Sequence, residues 1–261
     1  MNNDTIEIDK QRLWEEQRDF HRLFDERGGI DKYFFSLNED ARRELFHRTD
    51  LRIGCMDDGC GDCGYRLAGS GVLIADRDKE AFLDNCRLFG INGVTYHEGC
   101  GADPAFASRL GGGGKPDELL KDFSEQTARA LKVDASFVSA EKMSRPKDFH
   151  SVRFAYYDGT GRLNLKNAAG ILPNGFVLTR ALYPKAKYAV AEATLAYEIA
   201  SGPNGFGELI TPDEPFEIIV IGDKDNPETT QKILERELSP LGANPKINIT
   251  GFEVSKIIRI E

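Results

Sequence analysis

Basic charge is in short supply in this chain. Its 261 residues carry 34 lysines and arginines against 43 aspartates and glutamates, a net charge of −9. That deficit argues against non-specific nucleic-acid binding, which needs surplus lysine and arginine to displace phosphate counterions. It also disfavours adsorption to an anionic membrane surface. Long apolar runs are missing: no window approaches about 18 uninterrupted apolar residues, so no membrane span is expected. The opening MNNDTIEIDKQRLWEEQRDF has no basic stretch leading into an apolar one, so no secretory signal is expected and a cytoplasmic setting is. The glycine-rich phosphate loop is absent as well, because the run Gly111–Gly114 leads into Lys115-Pro116 instead of Lys-Ser/Thr. Cysteine is absent after Cys100. All five cysteines (Cys55, Cys60, Cys63, Cys86 and Cys100) fall in one stretch, which points to metal or redox chemistry rather than a disulfide scaffold.

What is present is an ordinary globular composition, 40% hydrophobic and 30% charged, with enough apolar material for a substantial core. Residues 8–27 are helical in rhythm, with Leu13, Phe20, Leu23 and Phe24 around Trp14, and Gly28-Gly29 ends them. A second helix is expected from the N-cap Asn38 through ARRELFH. LRIGC (51–55) and INGVTYHEGC (91–100) read as buried strands, each ending at a cysteine. GVLIAD (71–76) reads as a strand or strand-like turn and residues 78–90 as a helix. Residues 116–133 are a helix, 137–143 a strand, and 151–165 a strand turning at Asp158-Gly159. The alanine-rich 185–202 is a helix, and 216–222, 227–238 and 247–260 form a strand–helix–strand tail. Alternation of this kind predicts an α/β fold with a central, mainly parallel sheet flanked by helices. Residues 1–48 are read as an N-terminal helical arm and 49–261 as the α/β domain, with 185–261 its C-terminal extension.

Two segments carry the chemistry, Cys55-Met56-Asp57-Asp58-Gly59 and His97-Glu98-Gly99-Cys100. Zinc takes thiolate and imidazole ligands tetrahedrally, so they must converge from rigid elements. Two parallel strands ending at one sheet edge can supply that convergence, and ligands usually sit at that edge in open α/β sheets. The order C-x-D, then Arg66-x-Ala68-Gly69, then H-x-x-C-G resembles the β-class carbonic anhydrases. The resemblance is carried by residues 51–102. It implies Zn2+ held by Cys55, His97 and Cys100, with Asp57 either a fourth ligand or the group that orients a bound water. It implies hydration of CO2 to bicarbonate by zinc-bound hydroxide, with Asp57 and Arg66 serving catalysis and Ala68, Gly69 and Gly71 lining the substrate pocket. It further implies a homodimer or higher homo-oligomer embraced by N-terminal helices. A hydrolase of COS or CS2 fits the same residues. One departure stands out: Gly59 occupies the position of the family's arginine, which pairs with the aspartate and keeps it off the metal.

Other readings stay open. Without that arginine, two cysteines, one histidine and Asp57 could close a non-catalytic zinc site. Cys55, Cys60 and Cys63 also match the C-x4-C-x2-C spacing of a [2Fe–2S] cluster, with Cys86 or Cys100 as fourth ligand. Cys86 lies in a predicted helix, where a buried structural thiol is the commoner outcome. His150, just before a strand, is a candidate proton shuttle, and Asp58 a candidate relay.

Overall fold

The computed structural model describes residues 3–48, 50–60, 64–102, 116–146 and 149–255. The expected α/β fold is present, its parallel strands divided between two four-stranded sheets. The first holds β1 (Arg52–Cys55), β2 (Tyr65–Leu67), β3 (Gly93–His97) and β4 (Asp134–Val138) in the order β2-β1-β3-β4. The second holds β5 (Phe154–Asp158), β6 (Phe176–Thr179), β7 (Phe216–Asp223) and β8 (Ile247–Val254) in the order β6-β5-β7-β8. Every strand pair is parallel. The sheets meet where β2 adjoins β6: the Arg66 amide donates to Thr179 Oγ1 at 3.0 Å, and the Val177 amide to the Met56 carbonyl at 3.2 Å.

Helices cover both faces. Among the described residues they include α1 (Asn3–Arg27), α2 (Ile30–Ser36), α3 (Glu39–Leu45), α4 (Val72–Leu88), α5 (Pro116–Leu131), α6 (Lys187–Ser201) and α7 (Gln231–Leu238). The Asn38 side chain accepts from the Ala41 amide and caps α3 as expected. Apart from Glu217, residues 216–222 are apolar or glycine because β7 lies between β5 and β8 with both faces buried. Ile218 and Val220 join Ala189, Ala193 and Ala196 of α6 in one core, while Ile219 and Ile221 join Phe24 and Phe34 in another. Trp14, Phe24, Ile30, Phe34, Leu45 and Phe46 thus pack into the cores of their own chain. Phe34 stacks on Phe252 with centroids 4.2 Å apart, and Trp14, 2% exposed, lies edge-on to Phe206.

Some expectations change. The strand expected at 71–76 is the first part of α4. Val72, Leu73 and Ile74 are buried all round, and such a run carries no periodicity to separate strand from helix. The strand turning at Asp158-Gly159 does not turn back, because β5 pairs with β6 and β7, both parallel, instead of with the residues that follow it. The short β2, β6 and α2 were not anticipated from local pattern. Cys63 and Gly111–Gly114 lie outside the described residues. Among the described residues, no helix is long and apolar enough to cross a membrane.

Candidate metal centre

β1 and β3 are neighbours in register, so both deliver their last residues, Cys55 and His97, to the same carboxyl edge. A tight turn through Gly99, with φ of 65°, returns Cys100 to that point. The result is three buried side chains whose ligand atoms all lie within 4.8 Å of one another, with the two sulfurs 3.4 Å apart. His97 Nδ1 is 2.9 Å from the Glu98 carbonyl and therefore carries the proton. That leaves His97 Nε2 as a buried lone pair without a hydrogen-bond partner, as a metal ligand requires. Two thiols and an imidazole are a donor set suited to zinc, so these residues fit the ion.

In the absence of a metal the three groups share their protons unevenly. The Cys100 thiol, and then His97, hold Cys55 well below the usual thiol range, while the same pairing and burial push Cys100 up. Burial alone would lower His97, but the sulfurs of Cys100, Cys60 and Cys55 outweigh it and raise it. The pair therefore shares one proton, with Cys55 the thiolate and Cys100 the thiol that donates to it.

Asp57 begins the turn after Cys55. Its Oδ1 accepts from the Gly59 amide at 2.8 Å, and its Oδ2 lies 3.7 Å from His97 Nε2. Both of its oxygens accept from Arg145, Oδ1 from Nε at 2.8 Å and Oδ2 from Nη2 at 3.1 Å. An arginine partner for Asp57 is thus supplied by the segment after β4. A Cβ at Gly59 would lie 2.7 Å from Arg145 Cγ and 2.8 Å from Met143 Cε, so Gly59 is what lets the guanidinium pass. Burial opposes ionisation of Asp57, but His97, His150 and Arg145 together hold it far below the ordinary carboxylate range. Nothing in the segment S-R-P-K-D marks Arg145 in advance, since it belongs to no local motif.

Arg66 is buried and donates from Nη1 to the Asp57 carbonyl at 3.0 Å. With Asp58, Gly59 and Cys60 it lines a cavity of about 580 Å³ beside the cluster. Ala68, Gly69 and Gly71 do not line that cavity. They form a buried left-handed turn, with Gly69 at φ 50° and Gly71 at φ 100°, that carries the chain from β2 into α4. A Cβ at Gly71 would lie 2.4 Å from the Phe82 ring.

Around the centre, His150 Nδ1 lies 3.0 Å from Asp58 Oδ1, and the two join Asp57 in a second buried group with close ligand atoms. Burial raises Asp58 above its ordinary range. Cys60 is buried nearby with its thiol pushed up to about 11 by burial, and Cys86 lies in α4 pushed up to about 12 for the same reason. The sequence also left Glu192 of α6 unnoticed as anything but core helix. It is fully buried and accepts from the Ala68 amide at 3.0 Å and the Tyr183 hydroxyl at 2.8 Å. Burial raises its carboxyl to about 8. A scan against protein-family models, a search of curated proteins and a search of solved structures each return no match for this chain.

Proposed function

We propose that this chain is a zinc enzyme resembling the β-class carbonic anhydrases, which adds water to CO2 and releases bicarbonate and a proton. Cys55, His97 and Cys100 would hold the metal. Bound zinc would supply a water acidified to about neutral pH. The observation that carries the reading is the two-pronged Arg145–Asp57 pair. It occupies both carboxylate oxygens and so would restrain Asp57 from binding the metal, which would then be free to hold a water. Asp57, kept ionised, can accept a hydrogen bond from that water and so orient it. Arg66 fixes the Asp57 backbone from the far side. The His150–Asp58 pair offers a proton route toward the cavity lined by Asp58. A cytoplasmic setting, where thiols stay reduced, suits two thiolate ligands.

A second reading has one observation in its favour. Asp57 Oδ2 lies only 3.7 Å from His97 Nε2, close enough for a modest shift to make a site closed by two cysteines, one histidine and one aspartate. Stopped-flow CO2 hydration on protein with measured zinc content decides between them. Turnover that disappears in His97→Ala supports the enzyme. One zinc per chain with no hydration above buffer across pH 6–9 would leave the closed structural site.

A further inference from the structure

We infer that the chain carries a second ligand site, specific for a small oxyanion, built around Arg48 and Arg162 at the carboxyl edge of the second sheet. The Arg48 side chain is only 6% exposed, and none of its three guanidinium nitrogens has a hydrogen-bond partner. The guanidinium carbon sits 3.9 Å from the centroid of the Tyr65 ring, and its N–H donors remain for a planar or tetrahedral acceptor. The nearest carboxylate, Asp158 Oδ2, stands 4.0 Å away, beyond hydrogen-bond distance. Asp158 is already engaged: it accepts from the Thr160 amide and hydroxyl and from the Gly161 and Leu163 amides. A buried cation with unmet donors is costly unless something completes it.

A cavity lies where that acceptor would sit. It measures about 380 Å³ and is lined by Phe46, His47, Arg48, Leu51, Tyr65, Gly161 and Arg162. Among these described lining residues none is acidic, while two are arginines. The cavity shares Tyr65, Gly161 and Arg162 with a larger one of about 660 Å³, lined by Thr160 after β5, Arg180 after β6 and Asn226 after β7. From β5 the chain passes first to β6 on one side and then, through α6, to β7 on the other. Such a reversal opens a crevice at the carboxyl ends of the strands, where parallel sheets take their ligands. The oxyanion head meets Arg48 and Arg162, and the rest of the molecule extends into the larger cavity. A phosphate and a carboxylate share this chemistry.

Isothermal titration of the full chain with sodium phosphate, and separately with sodium acetate, in chloride-balanced buffer tests the site. Saturable binding of about one anion per chain is expected, weakened about tenfold or more by Arg162→Ala and by Arg48→Lys, and unchanged in His97→Ala. Tighter phosphate binding identifies a phosphate ester as the ligand class, and tighter acetate binding a carboxylate. Arg162 is half-buried on a loop, so its variant tests the site even where Arg48→Lys fails to fold. Absence of saturable binding by either anion overturns the inference. So does binding that persists in Arg162→Ala, or that is lost in His97→Ala while circular dichroism shows that variant folded, which assigns it to the metal centre.

Discussion

Arg145 and Asp57, 88 residues apart in the chain, meet through two hydrogen bonds of 2.8 and 3.1 Å in which the guanidinium takes both carboxylate oxygens. The pair is almost wholly buried, with side chains 6% and 3% exposed. The stem of Arg145 fills the space that a side chain at position 59 would need.

Arg145→Ala should leave Asp57 as a buried, unpaired charge beside the metal position. Removing one partner of a buried pair costs about 3–5 kcal/mol, read as a lower urea midpoint at an unchanged slope. CO2 hydration should fall at least about tenfold while zinc stays bound, because Asp57 is then free to reach the metal. Hydration at the wild-type rate would show that the pair does not govern the site.

Gly59→Arg should be harmful alone, since the new side chain would meet Arg145 and Met143. Combined with Arg145→Ala it should recover part of both stability and hydration, giving a favourable coupling energy in a double-mutant cycle. Strict additivity would count against an interchange of the two positions.

If the cluster of Cys55, His97 and Cys100 holds zinc in the native chain, removing the metal should destabilise the fold, so a chelator should lower the melting temperature of wild type and leave Cys55→Ala nearly unchanged. Metal analysis should show about one zinc per chain in wild type and close to none in Cys55→Ala or His97→Ala. Iron with visible absorbance would point back to the cysteines of residues 55–63 as cluster ligands.

Asp57 and Glu192 should give opposite pH dependences. Asp57 is depressed in the fold, so its stabilisation is complete above the unfolded value of about 3.9 and fades as pH falls below it. Glu192 is raised to about 8 in the fold. Its unfolded form ionises near pH 4.3, so it weakens the fold progressively as pH rises from there to about 8. Glu192→Gln should remove that loss and gain about 1–3 kcal/mol over wild type between pH 4 and 8. A constant difference across that range in denaturant titrations would refute the buried neutral carboxyl.

Trp14→Ala should cost about 3–5 kcal/mol, because Trp14 packs on Phe206 with the Arg153 guanidinium 4.5 Å over its ring. Deletion of residues 1–48 should then yield a chain that does not fold, by circular dichroism. A truncated chain with a cooperative melt would mean that the N-terminal helices are a separable arm.

The sequence alone determined the alternation of strands and helices, the parallel class of sheet and the candidate ligands Cys55, His97 and Cys100. All of these rest on local pattern: apolar runs of strand length, capping residues, and short motifs in which a cysteine or histidine ends a strand. It failed where local pattern is silent. The run Val72–Ile74 is buried on every side and shows no period. Strands β2 and β6, at three and four residues, are too short to show one either. Only the tertiary structure decided that the chain makes two sheets and that Arg145 completes the aspartate at the metal position. It alone placed Glu192 beneath Ala68 and left Arg48 buried without an acceptor. The physical reason is the same in each case. A charge is satisfied by whatever group lies within about 3 Å in space, and that neighbour is set by chain crossings that no short stretch of sequence records.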